Sequence, residues 1–189
     1  MLAAALLLAV ETAPAPPPER AMLDSFKAAC SRTGNDLEAM KADAAAAGWA
    51  LTADDGDPRI ERLVRLGREA VANDGIATGA NFRRSISGRD IFLIVSRYED
   101  KSGFWGSGCR LYDFEAARPL KAKLLRRWMG KPPTGVQKPA PGLVKRLWEP
   151  SGWREGITVE VSHVPQNHPI GKPYGLSGNI ITAQAIGGF

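Results

Sequence analysis

The hydrophobic pattern changes from helical to strand spacing near Ala80, and this change limits the possible folds more than any other feature of the sequence. The first part of the chain carries apolar residues at helical spacing, as in the stripe Met22, Leu23 and Phe26. From Ala80 onward, apolar and polar residues alternate, which is the period of a β-strand. Helices that come before a run of strands are typical of α+β proteins rather than of alternating α/β proteins.

Three helices are predicted before this change. The first covers residues 21–30. The second begins after Asn35 as its N-cap and ends before Gly48, a natural helix stop. The third begins where Asp57 and Pro58 stand at the N-cap and first helical positions.

Five strands are predicted after it, over residues 80–86, 91–98, 109–114, 157–164 and 178–186. Residues 100–108 are glycine-rich and predict a loop, whereas residues 143–148 are ambiguous. A helix rich in lysine and arginine over residues 118–129 interrupts the strands and stops at Gly130. We therefore predict an α+β fold with N-terminal helices, then an antiparallel sheet of about five strands with one inserted basic helix.

The first residues predict export from the cytoplasm. Residues 1–10 form an uninterrupted apolar run, too short for the roughly 20 residues that a transmembrane helix needs, and an A-x-A pattern follows it at Ala13–Ala15. We predict a signal peptide over residues 1–15, a Pro-rich linker over 16–20 and a single α+β domain over 21–189. A helix that packs on the domain is the alternative for the apolar run. Export makes the protein periplasmic or secreted, with no transmembrane span after signal removal.

The two cysteines, Cys30 and Cys109, fit an oxidising compartment, where an isolated pair most simply forms one disulfide. Closing a loop of about 80 residues would stabilise the fold by roughly 4 kcal/mol. Two separate buried thiols are the alternative. A zinc site with His163 and His168 is disfavoured because structural zinc cysteines usually come as a close pair. The sequence therefore predicts neither a metal nor a cofactor.

No catalytic motif is recognisable. The segment Gly175–Asn179 departs from the nucleophile-elbow pattern G-x-S-x-G at its last position, and no glycine loop has phosphate-binding spacing. We assign no catalytic residue. This favours a non-catalytic protein, while a hydrolase whose site is assembled only by the fold stays the alternative.

Two features favour binding. Phe104 and Trp105 stand side by side between glycines, where an exposed ring would stack on a partner; the alternative is that Trp105 folds back over the sheet edge. Lys121, Arg126 and Arg127 belong to the basic helix and are candidates to contact an anion, unless they form an ordinary solvated face.

Charge is distributed unevenly along the chain. The net charge is +5, and the part from residue 101 onward holds thirteen basic and five acidic residues. Such a bias permits an anionic partner. The sequence thus predicts a small exported binding module for an anionic envelope component or another protein, and export argues against nucleic acid.

Overall fold

Eight strands form one antiparallel sheet in the order β1-β2-β3-β4-β8-β7-β6-β5. The computed structural model describes residues 17–34 and 36–189. The strands are β1 Ala50–Thr52, β2 Gly75–Ile86, β3 Arg89–Asp100, β4 Trp105–Asp113, β5 Gly135–Gln137, β6 Val144–Trp148, β7 Thr158–Val164 and β8 Gly178–Gly187. The helices are α1 Pro18–Cys30, α2 Leu37–Ala46, α3 Pro58–Val71 and α4 Ala122–Met129, with a short 3-10 helix at Lys172–Tyr174.

The two faces of the sheet are covered very differently. Helices α1, α2 and α4 contribute to the main core on one face, which we call the covered face, with strand residues such as Leu93, Val95 and Leu111. Alternate residues of the same strands point to the other face, which we call the open face. There α3 builds a smaller core that includes Ile60, Phe92 and other residues. The open face is therefore the place where a single helix meets the sheet.

Helix α3 begins as the sequence predicts. The Asp57 side chain accepts a hydrogen bond from the backbone N–H of Arg59, and Pro58 occupies the first turn. This cap anchors the N-terminal end of α3, where Ile60 is buried and the Arg59 guanidinium lies 4.4 Å from the centre of the Phe114 ring. The first turn of α3 is thus fixed to the sheet by both capping and packing.

The predicted disulfide is confirmed. Cys30, the last residue of α1, is bonded to Cys109 of β4, and both residues are buried. The bond joins α1 to the centre of the covered face, so both thiols are unavailable as metal ligands or nucleophiles. This removes the zinc alternative built on Cys30 and Cys109.

The prediction of about five strands is wrong, and so is a continuous block of N-terminal helices. The sheet has eight strands, and β1 lies between α2 and α3. Strands β1 and β5 have three residues each, too short for an alternating pattern to be visible. In β6, Lys145 and Arg146 interrupt the apolar pattern, and pairing with β7 makes the segment a strand. Tertiary pairing, rather than local pattern, decides these three strands.

Several predicted boundaries also move. The predicted loop over 100–108 shrinks to four residues because Asp100 Oδ1 accepts hydrogen bonds from the backbone N–H groups of Ser102 and Phe104, which closes a tight turn. Helix α4 begins at Ala122, not at residue 118. The residue that caps α2 is Asp36, which accepts a hydrogen bond from the N–H of Ala39, whereas the predicted cap Asn35 lies outside the described residues.

The export prediction concerns residues that the structure does not describe. The predicted signal peptide over 1–15 lies outside the described residues, and so does the start of the predicted linker over 16–20. The rest of that linker is shorter than predicted because α1 already begins at Pro18. Within residues 17–34 and 36–189, none of the helices has the length and apolar character that crossing a membrane requires.

Candidate functional site: a cavity between α3 and the sheet

A cavity of about 360 Å³ lies between α3 and the open face of the sheet. Its size falls within the roughly 300–1,000 Å³ that is typical of small-molecule sites. Strands β2, β3, β4 and β8 supply the floor, and the inward side of α3 supplies the roof. The cavity is partly open to solvent, so a molecule can enter without unfolding the helix.

Small residues in neighbouring strands make the floor. In the antiparallel register, Gly79 of β2 faces Ser96 of β3, and Ser96 faces Gly108 of β4. Directly paired residues lie on the same face, so these three form one row across the sheet. Gln184 of β8 extends the row beyond Gly108. Because Gly79, Ser96 and Gly108 carry no large side chain, their part of the row leaves the space that the cavity occupies.

The roof contains a glycine on the inward stripe of α3. Gly67 shares this stripe with Ile60, Val64 and Val71, at helical spacing. A β-carbon added at Gly67 would meet no atom within 4 Å. Glycine costs about 1 kcal/mol relative to alanine inside a helix, so helix formation does not favour it here. The absence of a side chain at Gly67 leaves space above the floor of the cavity.

Arg110 is the one cation of the cavity lining without an acidic partner in the described chain. Its guanidinium Nη1 donates a hydrogen bond to Ser96 Oγ over 3.0 Å, and no described carboxylate pairs with it. The other two arginines of the lining have acidic partners: Arg68 pairs with Asp54 at 2.9 Å and Arg97 with Glu99 at 3.6 Å. Arg110 is only partly exposed, so its charge faces the cavity with incomplete solvation.

Gly108 allows the Arg110 side chain to lie flat on the floor. A β-carbon at position 108 would overlap the guanidinium Nη1 and Cζ of Arg110. The guanidinium therefore lies over Gly108, within hydrogen-bond distance of Ser96. The position of the Arg110 guanidinium therefore depends on the absence of a side chain at Gly108.

Tyr112 provides the wall next to Arg110. The two residues are on the same face of β4, and the Tyr112 ring stacks on Phe114 with centres 5.5 Å apart. Burial holds the pKa of Tyr112 above its ordinary value, and the Arg110 charge opposes this only in part. The hydroxyl keeps its proton at neutral pH, so Arg110 has no phenolate to pair with.

The predicted aromatic pair does not belong to this cavity. Phe104 lies in the β3–β4 turn and packs against Tyr98 and Phe189, with ring centres 6.3 and 5.7 Å apart respectively. Trp105 is the first residue of β4, with the Arg97 guanidinium 4.8 Å from its ring centre. Both side chains are half-buried. Their proposed role in binding stays a prediction.

The predicted basic residues are elsewhere as well. Arg126 and Arg127 lie on α4 and Lys121 just before it, and all three are exposed. The helix packs on the covered face through Leu125, Trp128 and Met129. The structure therefore does not place these cations in the cavity, and a contact with an anionic partner at α4 stays a prediction.

A second set of polar groups is buried at the edge of the main core. Asp113, Asn179 and His163 face one another across β4, β8 and β7. His163 Nδ1 is 3.2 Å from Asn179 Oδ1, and Arg89 donates to Asp113 Oδ2 over 2.7 Å. Burial raises the pKa of Asp113 and lowers that of His163. All three are almost inaccessible to solvent, so the row is best interpreted as structural.

The buried His163 predicts a dependence of stability on pH. Burial lowers its pKa below the ordinary 6.5, so the unfolded chain binds a proton at a higher pH than the folded one. The free energy of unfolding should therefore fall below about pH 6.5, by at most about 1.4 kcal/mol per pH unit. Urea unfolding of the wild type and His163→Gln between about pH 5 and 7.5 measures this.

The His163→Gln variant should lose that part of the slope, since glutamine does not titrate. The matched control for the substitution itself is His168→Gln, the same change in the partly exposed loop after β7. Parallel slopes for wild type and His163→Gln would contradict the prediction.

Sequence analysis missed the residues that form the cavity. Arg110 and Ser96 were included in predicted strands without any role, and Gly67 was not distinguished from the rest of its helix. One signal was present: a glycine on the apolar stripe of a helix, together with small residues at alternate strand positions. The register that brings Gly79, Ser96 and Gly108 into one row cannot be predicted from such a pattern.

Comparisons with known proteins assign neither a family nor a function to this chain. No protein-family model, no curated protein and no solved structure matches this chain. Among the described residues, no group of three or more His, Cys, Asp or Glu side chains could hold a metal ion. Functional inference therefore depends on the geometry of the cavity.

Proposed function

We propose that this protein is a binding protein that holds a small, largely apolar molecule in the cavity between α3 and the open face of the sheet. The observation that carries the proposal is the space itself: a cavity of about 360 Å³ under a helix whose inward stripe contains a glycine. Its lining combines apolar side chains with a few polar groups, the composition typical of ligand sites.

The polar groups of the cavity support binding more than catalysis. The Ser96 hydroxyl oxygen accepts a hydrogen bond from the Arg110 guanidinium. A nucleophilic serine needs a neighbouring base that takes its proton, and a guanidinium remains protonated. This contact holds a charge in place and does not activate the hydroxyl. The hydrolase alternative receives no support from it.

The exported location is the second part of the proposal. The apolar run over residues 1–10, the A-x-A pattern and the Cys30–Cys109 disulfide support it. Periplasmic or secreted binding proteins meet small molecules directly from the surroundings. Intact-mass spectrometry on the protein recovered from each compartment tests this part independently of ligand binding.

Filling the cavity from the helix tests the binding site. Gly67→Trp introduces a large side chain where a β-carbon meets nothing, so the ring should occupy the cavity without disturbing the sheet. The probe is the neutral dye N-phenyl-1-naphthylamine, whose fluorescence rises in apolar sites. We expect Gly67→Trp to weaken its binding by roughly tenfold or more, about 1.4 kcal/mol.

Gly67→Ala is the matched control, because it changes the same backbone position and leaves most of the space. It should bind the dye like the wild type and gain up to about 1 kcal/mol of stability from helix propensity. Dye binding that is absent in the wild type, or equally strong in wild type and Gly67→Trp, would contradict the proposed function.

A further inference from the structure

We infer that the ligand of this cavity is a monocarboxylate with an apolar body, whose carboxylate is bound by Arg110 and Ser96. This inference rests on the proposed function and adds the chemical class of the ligand to it. It is argued from the charge balance of the lining, the hydrogen-bonding groups around Arg110 and the apolar walls.

The charge balance of the lining favours an anion as the ligand. Arg68 and Arg97 are paired with Asp54 and Glu99, so neither needs a further counter-ion. Arg110 is partly buried and its hydrogen-bond acceptor, Ser96, is neutral. A partly buried charge without a partner is costly, and an anionic ligand group would remove that cost.

The geometry favours a carboxylate. The planar guanidinium offers several N–H groups and matches the two oxygens of a carboxylate. Only one of its nitrogens is engaged by Ser96. Because Ser96 Oγ accepts that hydrogen bond, its own O–H remains available to donate to the ligand. Gln184, opposite Gly108 in the same row, adds an amide N–H group near this position.

The charge of the cavity lining also limits the net charge of the anion that it can bind. A phosphate monoester carries about −1.5 to −2 at neutral pH and would place excess negative charge beside a single unpaired cation. The Asp54 carboxylate also lines the cavity, and its charge is balanced by Arg68. One unpaired guanidinium therefore fits a monoanion better than a dianion.

The remaining walls fit an apolar body. Leu63, Val64 and Val71 of α3 face Ile94 and Tyr98 of β3 across the cavity. A ligand with its carboxylate at Arg110 would place its apolar part between helix and sheet, where burial contributes roughly 25 cal/mol per Å². The ligand class is thus amphipathic: one charged end and one apolar end.

The test compares three ligands of equal chain length on the purified chain: decanoate, decanol and decyl phosphate, each displacing N-phenyl-1-naphthylamine at about pH 7.5. We expect the wild type to bind decanoate at least about tenfold more tightly than decanol, and more tightly than decyl phosphate. Arg110→Met should abolish the preference for decanoate over decanol while still binding the dye.

Two glycine variants of β4 test whether the position of the Arg110 guanidinium matters, as distinct from its presence. Gly108→Ala keeps Arg110 but places a β-carbon where the guanidinium lies, so the preference for decanoate should fall several-fold. Gly106→Ala is the matched control two residues away, where a β-carbon makes an ordinary 3.8 Å contact with Ile186, and it should retain the wild-type preference.

Dye binding distinguishes failure of this inference from failure of the proposed function. If the dye binds but decanoate and decanol compete equally, or if Arg110→Met keeps the preference, the cavity binds apolar molecules and the carboxylate inference is wrong. Tighter binding of decyl phosphate than of decanoate would overturn the inference that the ligand is a monoanion. If the dye does not bind the wild type at all, the proposed function itself fails.

Discussion

A Cys30→Ala/Cys109→Ala double variant is expected to lose about 4 kcal/mol of unfolding free energy. The disulfide closes a loop with a sequence separation of 79 residues, and its removal restores chain entropy to the unfolded state. Since domains typically have only about 5–15 kcal/mol of stability, this is a large fraction of the total. In a chain of this size the loss corresponds to a fall of roughly 8–16 °C in Tm.

Urea unfolding with and without dithiothreitol measures the effect. Reductant should lower the midpoint of the wild type towards that of the double variant and leave the double variant unchanged. Alanine is the appropriate replacement because both cysteines are buried, and serine would add an unpaired hydroxyl. A double variant as stable as the oxidised wild type would show that the bond does not contribute to the stability of the fold.

The second large effect is expected at Trp148. Its side chain is fully buried at the end of β6, beside Val159 of β7, and its indole Nε1 donates to the Lys131 carbonyl over 3.2 Å. Trp148→Ala removes a large part of the main core and the hydrogen bond together. We expect a loss of about 3–5 kcal/mol in the free energy of unfolding.

The matched control is Val136→Ala in β5, the neighbour of β6 at the sheet edge. Val136 is 52% exposed, so its truncation should change stability by less than about 0.5 kcal/mol. Trp148→Phe should lie between the two, since it keeps much of the apolar contact and loses the donor to Lys131. Equal unfolding midpoints for Trp148→Ala and Val136→Ala would contradict the assigned core position.

Local patterns in the sequence predicted the elements whose stability is local. Asp57 with Pro58 marked the start of α3, Gly130 marked the end of α4, and the alternating runs marked β2 and β7. Each of these depends on nearest neighbours along the chain: a cap, a backbone conformation or a period. The disulfide was also predictable, because only two cysteines were available to pair.

The strands that depend on a partner were not predictable. The short edge strands β1 and β5 have only three residues each, and β6 carries charged residues at its centre. Their hydrogen bonds are made to β2 and β6, and β6 is completed by β7. A segment of this length has no intrinsic preference strong enough to be seen before its partner is known.

The candidate site shows the same division most clearly. By itself, the sequence determined the chemical groups: an arginine in one predicted strand, a serine in another, and a glycine in a predicted helix. Only the tertiary structure decided that Ser96, Gly108 and Arg110 share one face and that Gly67 lies above them. The physical reason is register, since a shift of one residue in any strand would turn these side chains to the opposite face.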